Sequence, residues 1–111
     1  MGFGFPKAAR LRKDRDFAPL RARGRRFVGV QVQVRWIAND VGRARLGLAS
    51  PRQYGDAVRR NRFRRLVRAA FRSLAVGLPA RDLLVSPRRD LKEPDLETIR
   101  ADLERAVGPR A

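Results

Sequence analysis

The chain has 111 residues, 27 of them Lys or Arg against 11 Asp or Glu, for a formal net charge of +16 and a pI near 11.9. That length builds one small domain with a modest core, and that charge calls for a polyanion, nucleic acid ahead of an acidic protein or an anionic membrane surface. Cysteine is absent, which excludes disulfides, thiolate metal sites and a cysteine nucleophile; histidine is absent too, which removes the commonest acid–base pair for cutting RNA without metal.

Residues 1–13, with Gly2, Gly4 and Pro6 among basic and small residues, read as a mobile or loosely packed arm. The stretch before Pro6 is too short for a signal peptide, and no apolar run is long enough to span a membrane, so the expected compartment is the cytoplasm. Asp14 to Arg23 reads as a short helix closed by Gly24. Pro19 favours a start at Asp16, which places the proline in the first turn where no donor is needed, or else a kinked start at Asp14. Phe17 and Leu20 form its apolar edge, and by composition alone Phe17 reads as core.

Phe27 to Ile37 alternates without interruption, with Val28, Val30, Val32, Val34 and Trp36 on one side and Gln31, Gln33 and Arg35 on the other. This predicts one half-buried antiparallel strand with Trp36 in the core. Asn39 to Arg43 is turn chemistry, and Ala44 to Ser50 is a second strand with Leu46 and Leu48 inward, so the two strands are expected to pair as a hairpin. Pro51 to Gly55 is a loop. Asp56 is a fitting N-cap for the helix that follows, since its carboxylate can accept a backbone N–H and suits the positive end of the helix dipole.

That helix, from Ala57 to Arg72, holds seven arginines and no acid. Phe63, Leu66, Val67, Ala70, Phe71 and Leu74 recur at the spacing of one buried face, and Asn61, Arg65, Arg68 and Arg72 form the opposite stripe. Without carboxylates, i,i+4 ion pairs cannot form and like charges repel. A polyanion relieves that repulsion, and the planar guanidinium fork suits phosphate. Gly77-Leu78-Pro79 ends the helix. Asp82 to Ser86 is a short buried strand, Arg88 to Glu93 a charged connection, and Pro94 to Val107 a last amphipathic helix with Leu96, Ile99, Leu103 and Ala106 inward. Its acids Asp95, Glu97, Asp102 and Glu104 read as a solvated face.

The expected fold is therefore α+β in the order α-β-β-α-β-α, a small sheet with helices on one face and the other face open. Residues 1–81 carry 21 Lys/Arg and four acids, net +17, whereas residues 82–111 carry six Lys/Arg and seven acids, net −1. The polyanion site should be built by the first part, and the second should serve the fold. No Gly-rich phosphate loop and no carboxylate cluster at metal spacing stands out, and no side chain is put forward as catalytic.

The stretch Ala57-Val58-Arg59-Arg60-Asn61-Arg62-Phe63-Arg64-Arg65-Leu66-Val67-Arg68-Ala69-Ala70-Phe71 resembles the signature helix of the protein component of bacterial ribonuclease P, with Arg64 in a lysine place. Asp16-Phe17, Gly24, Arg45-Leu46-Gly47-Leu48, Gly55 and Leu78-Pro79 with Asp82 agree with the flanks, so the resemblance covers most of the chain, from about Leu11 onward. It implies an α/β sandwich with a mixed sheet and a left-handed βαβ crossover through the arginine helix, against the usual right-handed rule. It also implies a partnership with a large catalytic RNA. Together the two remove the 5′ leader of precursor tRNA by Mg²⁺-dependent hydrolysis. The metal is RNA-bound, and the RNA rather than the protein holds the chemistry. No further protein partner and no membrane is expected.

By the same resemblance, Arg60, Asn61 and Arg62 take the signature positions, and Arg64, Arg65 and Arg68 continue the RNA-facing helix, flanked by Arg59 and Arg72. Phe17 matches an aromatic over which the single-stranded leader stacks, and Arg52 a basic loop position. Arg21 and Arg35 stand where the family often has aromatics, which implies a more electrostatic leader contact. Two rival readings are a non-catalytic ribosomal or assembly protein using the same helix on structured RNA, and a self-sufficient nuclease, for which catalytic residues are wanting.

Overall fold

The computed structural model describes residues 14–74 and 77–107; the arm expected over residues 1–13 lies outside them. The elements run α1 (Asp14–Arg23), β1 (Arg25–Val28), β2 (Val32–Ala38), β3 (Arg45–Leu48), a single 3₁₀ turn (Arg52–Tyr54), α2 (Ala57–Leu74), β4 (Arg81–Pro87) and α3 (Leu96–Val107). The four strands form one mixed sheet in the order β1-β2-β4-β3. The β1–β2 and β2–β4 pairs are antiparallel, and β3–β4 is parallel. The α+β class and mixed sheet are those expected. Among the described residues no helix is long and apolar enough to cross a membrane.

Several local expectations are corrected. The alternating run from Phe27 to Ile37 is two strands, not one, because the chain reverses at Gly29-Val30-Gln31. The Gly29 N–H bonds the Val32 carbonyl at 2.8 Å, and the carboxylate of Asp102 on α3 accepts the N–H groups of Val30 (2.9 Å), Gln31 (2.8 Å) and Val32 (3.1 Å). A β-carbon on Gly29 would lie 2.3 Å from Asp102 Cγ, so only glycine fits there. Asp102 is thus fully buried rather than on a solvated face.

The second correction concerns pairing. β2 and β3 are joined by the Asn39–Arg43 turn but are not neighbours, because β4 lies between them. The run Leu83-Leu84-Val85 suits a strand flanked on both sides, and the parallel partner β3 needs the long α2 connection to reach it. Of the two starts expected for α1, the structure takes the earlier, Asp14, with Pro19 inside the helix past the first turn.

One hydrophobic cluster unites Val32 and Val34 of β2, Leu46 of β3, Leu83 and Val85 of β4, Phe63, Val67, Ala70 and Phe71 of α2, and Ile99, Leu103 and Val107 of α3. The two long helices therefore share one face of the sheet. Burying Phe63, Val67 and Phe71 contributes roughly 1.5–3 kcal/mol each. Each like-charged i,i+4 arginine pair on α2 costs only a few tenths of a kcal/mol, so packing decides the helix. Leu20 of α1 is fully buried yet stands outside this cluster, and α1 lies against β2 and β4. Strand alternation leaves Gln33, Arg35 and Ile37 of β2 and Leu84 and Ser86 of β4 for that second face, which α1 lines without filling. Trp36, expected in the core, is half-buried at the edge of the cluster.

Candidate nucleic-acid interface

The arginine helix begins where the sequence places it. Asp56 accepts the Arg59 N–H at 2.9 Å through its carboxylate and caps the first turn. The apolar spacing then turns Phe63, Val67, Ala70 and Phe71 inward, with Leu66 and Leu74 half-buried beside them. Asn61, Arg62, Arg65 and Arg72 are exposed, and Arg60, Arg64 and Arg68 are half-buried.

The predicted RNA-facing residues fall into two groups. Some are already held by the protein. Arg59 donates through Nη2 to the carbonyls of Leu91 (2.9 Å) and Lys92 (3.0 Å), and its guanidinium carbon lies 4.8 Å from the centre of the Tyr54 ring. Arg64 Nε donates to Ser50 Oγ at 2.9 Å, and Arg60 Nε reaches the Asp56 carbonyl at 3.4 Å. Arg62 pairs with Glu93 at 3.5 Å, but both are exposed, which makes this contact worth about 0–1 kcal/mol. The side chains of Asn61 and Arg65 form no hydrogen bond or ion pair among the described residues. Arg59 thus ties α2 to the β4–α3 connection, while Asn61 and Arg65 keep their polar groups for a ligand.

The four leader-facing candidates divide similarly. Phe17 is half-buried on α1, and the guanidinium carbon of Arg21, one turn on, lies 5.8 Å from its ring centre. Arg35 is half-buried on the sheet face that α1 lines. Arg52 is exposed in the 3₁₀ turn. Gln33, two residues before Arg35 on the same face, opens into a cleft of about 520 Å³ whose other walls include Gln53, Tyr54, Ser86, Arg88 and Arg89. The face carrying Arg35 is therefore continuous with the turn carrying Arg52.

Sequence reasoning missed the contribution of Arg88, Arg89 and Tyr54 to this cleft. The adjacent arginines just past the end of β4 are the signal in the sequence that marks this wall. Tyr54 is only 7% exposed, and its hydroxyl has no hydrogen-bond partner among the described residues. Its ring packs edge-on to Phe63 at 5.6 Å, which ties the cleft wall to the buried face of α2. The described residues contain no group of three side chains able to hold a metal ion.

Comparison with known proteins agrees with this geometry. The family model described as Ribonuclease P matches residues 5–109. The ribonuclease P protein component of Halorhodospira halophila is 38% identical over 102 residues, covering 90% of this chain and 84% of its own. That of Chlamydia trachomatis serovar L2 is 33% identical over 99 residues, 88% of this chain and 82% of its own. The RNase P protein of Thermotoga maritima superposes with a TM-score of 0.78 at 32% identity, covering 88% of this chain and 94% of its own. The Staphylococcus aureus RNase P protein does so with 0.79 at 29% identity, covering 89% and 92%. With the arginine helix, the mixed sheet and nearly the full length in agreement, the chain belongs to the ribonuclease P protein family.

Proposed function

We propose that this chain is the protein subunit of a cytoplasmic ribonuclease P, that α2 binds the catalytic RNA, and that the face lined by α1 receives the 5′ leader of precursor tRNA. The observation that carries the reading is the first half of α2. It is an acid-free helix fastened by Asp56, Ser50 and the β4–α3 connection, with Asn61 and Arg65 left open. Fastening the flanking arginines lowers the entropy lost when phosphates dock.

The leader would lie along Phe17, Arg21 and Arg35 toward Arg52 and the cleft beside Tyr54. Phe17 supplies the aromatic surface, and the three arginines supply charge. No protein side chain is assigned to bond cleavage. The Mg²⁺ on which such an enzyme depends would be held by RNA phosphates. The protein's part is to bring two polyanions together by offsetting their mutual repulsion.

The test is cleavage of precursor tRNA by a bacterial ribonuclease P RNA at low Mg²⁺, with and without the protein. Faster cleavage with protein is expected, and none from protein alone. If the protein fails to improve on RNA alone, it is instead an RNA-binding ribosomal or assembly protein.

A further inference from the structure

The chain's single tryptophan lies in an unusual setting. Arg25 of β1 is the cross-strand partner of Trp36, and Arg81, the first residue of β4, stands diagonally across on the same face. The guanidinium carbons of Arg25 and Arg81 lie 5.6 Å and 4.0 Å from the centre of the indole ring. Arg81 also donates through Nη1 to the Val107 carbonyl at the end of α3, at 3.4 Å. Two cations thus converge on one ring, and among the described residues no carboxylate pairs with either. The nearest acid along β4, Asp82, points to the other face of the sheet, where Arg45 and Asn39 occupy it.

We infer that Arg25, Trp36 and Arg81 form a second contact for the phosphodiester backbone of RNA, remote from the first turns of α2. This rests on the chain being an RNA-binding subunit. The ring is already taken by guanidiniums, so the group does not offer a base-stacking platform. It offers N–H edges held by cation–π contact and by a helix terminus, and a guanidinium has five such donors. The side chain of Arg25 makes no hydrogen bond among the described residues, and that of Arg81 makes one. Oriented guanidiniums without carboxylates fit phosphate oxygens.

The placement gives the inference reach. β3 and β4 run parallel, and α2 leaves the far end of β3 by way of the turn at Arg52–Tyr54. Its first turns therefore lie at the strand ends opposite Arg81. A helix of 18 residues at 1.5 Å per residue separates the two ends by about 27 Å. An RNA touching both runs the length of the domain.

The experiment measures binding of the full chain to ribonuclease P RNA and, separately, to precursor tRNA across a salt series. The unsubstituted chain is compared with Arg25→Gln, Arg81→Gln and Arg65→Ala. Each lost phosphate contact should lower the magnitude of the log K against log salt slope by about one. The RNA whose slope falls with Arg25→Gln is the one bound there. Trp36, as the only indole, should change its emission when that RNA binds. Arg81→Gln removes a helix-end bond as well, so Arg25→Gln decides the matter alone if Arg81→Gln fails to fold by circular dichroism. An unchanged slope for Arg25→Gln with both RNAs overturns the inference. If Arg65→Ala still lowers the slope in that case, the α2 reading stands and only this one falls. Weakened binding of Arg25→Gln to phosphatidylglycerol vesicles, with neither RNA affected, also overturns it.

Discussion

Replacing Asp102 with alanine should cost more than any substitution on the arginine face. The carboxylate is fully buried and accepts three backbone N–H groups from the β1–β2 turn. Val30 is exposed, so water can serve its N–H; the bonds to Gln31 and Val32 are buried. Leaving two buried donors unpaired costs roughly 1–3 kcal/mol each, or about 4 kcal/mol together. A domain of this size holds about 5–15 kcal/mol in all. At about 2 kcal/mol per molar urea, the unfolding midpoint should fall by about 2 M with an unchanged slope. Gly29→Ala adds a second arm. Its β-carbon would meet Asp102 Cγ at 2.3 Å, an overpacking penalty of about 1–3 kcal/mol. In the Asp102→Ala background that penalty should vanish, so the two substitutions should couple. A midpoint shift below about 0.5 M, or strict additivity, would refute the reasoning: water would then be replacing the carboxylate.

Two further outcomes follow from the same structure. Arg45 holds Asp82 by two bonds of 2.8 Å, and Asp82 also accepts from Asn39 at 2.8 Å. The pair is neither fully exposed nor fully buried, so Asp82→Ala should cost about 2 kcal/mol, between the exposed and buried limits, and a double-mutant cycle with Arg45→Ala should recover part of it. Asp95, the N-cap of α3, is held below the ordinary carboxylate value of 3.8, first by the backbone N–H of Thr98 and then by its hydroxyl. A lowered folded value means the cap contributes fully above pH 3.8 and loses its contribution as pH falls through the lower value. The stability gap between the unsubstituted chain and Asp95→Ala, measured by urea titration at several pH values, should therefore be flat near neutrality and close in acid; a gap that persists unchanged in acid contradicts the assignment.

The buried face of α2 was legible in the sequence because helical spacing is a local signal, and Phe63, Val67, Ala70 and Phe71 pack as that spacing requires. The Asp56 cap and the Asn39 turn were legible for the same reason: Asn39 accepts the Val41 N–H at 3.0 Å within its own loop. The hairpin at Gly29 was not. Its cause is a carboxylate some 70 residues away, and alternation continues in phase through the turn. Strand order was hidden as well, since nothing near β2 or β3 announces that β4 will enter between them. In the candidate site, charge and helix face were readable from the sequence. Which arginines the protein keeps for itself was not. Arg59 depends on carbonyls of Leu91 and Lys92 that only the fold brings near.

The central place of β4 also orders events in time. During synthesis β1 and β2 exist first, but the Asp102 carboxylate that holds the turn between them arrives only with α3. β3 has no strand to pair with until residues 49–80 have been made and β4 has arrived. The arginine helix lies within that interval, so its apolar side gains a complete floor only when the sheet is finished. Closing so long a loop costs entropy before any contact repays it, which makes this the slow step. A chain caught before it holds a cationic helix with Phe63 and Phe71 uncovered, a species prone to stick to RNA without specificity and to other chains.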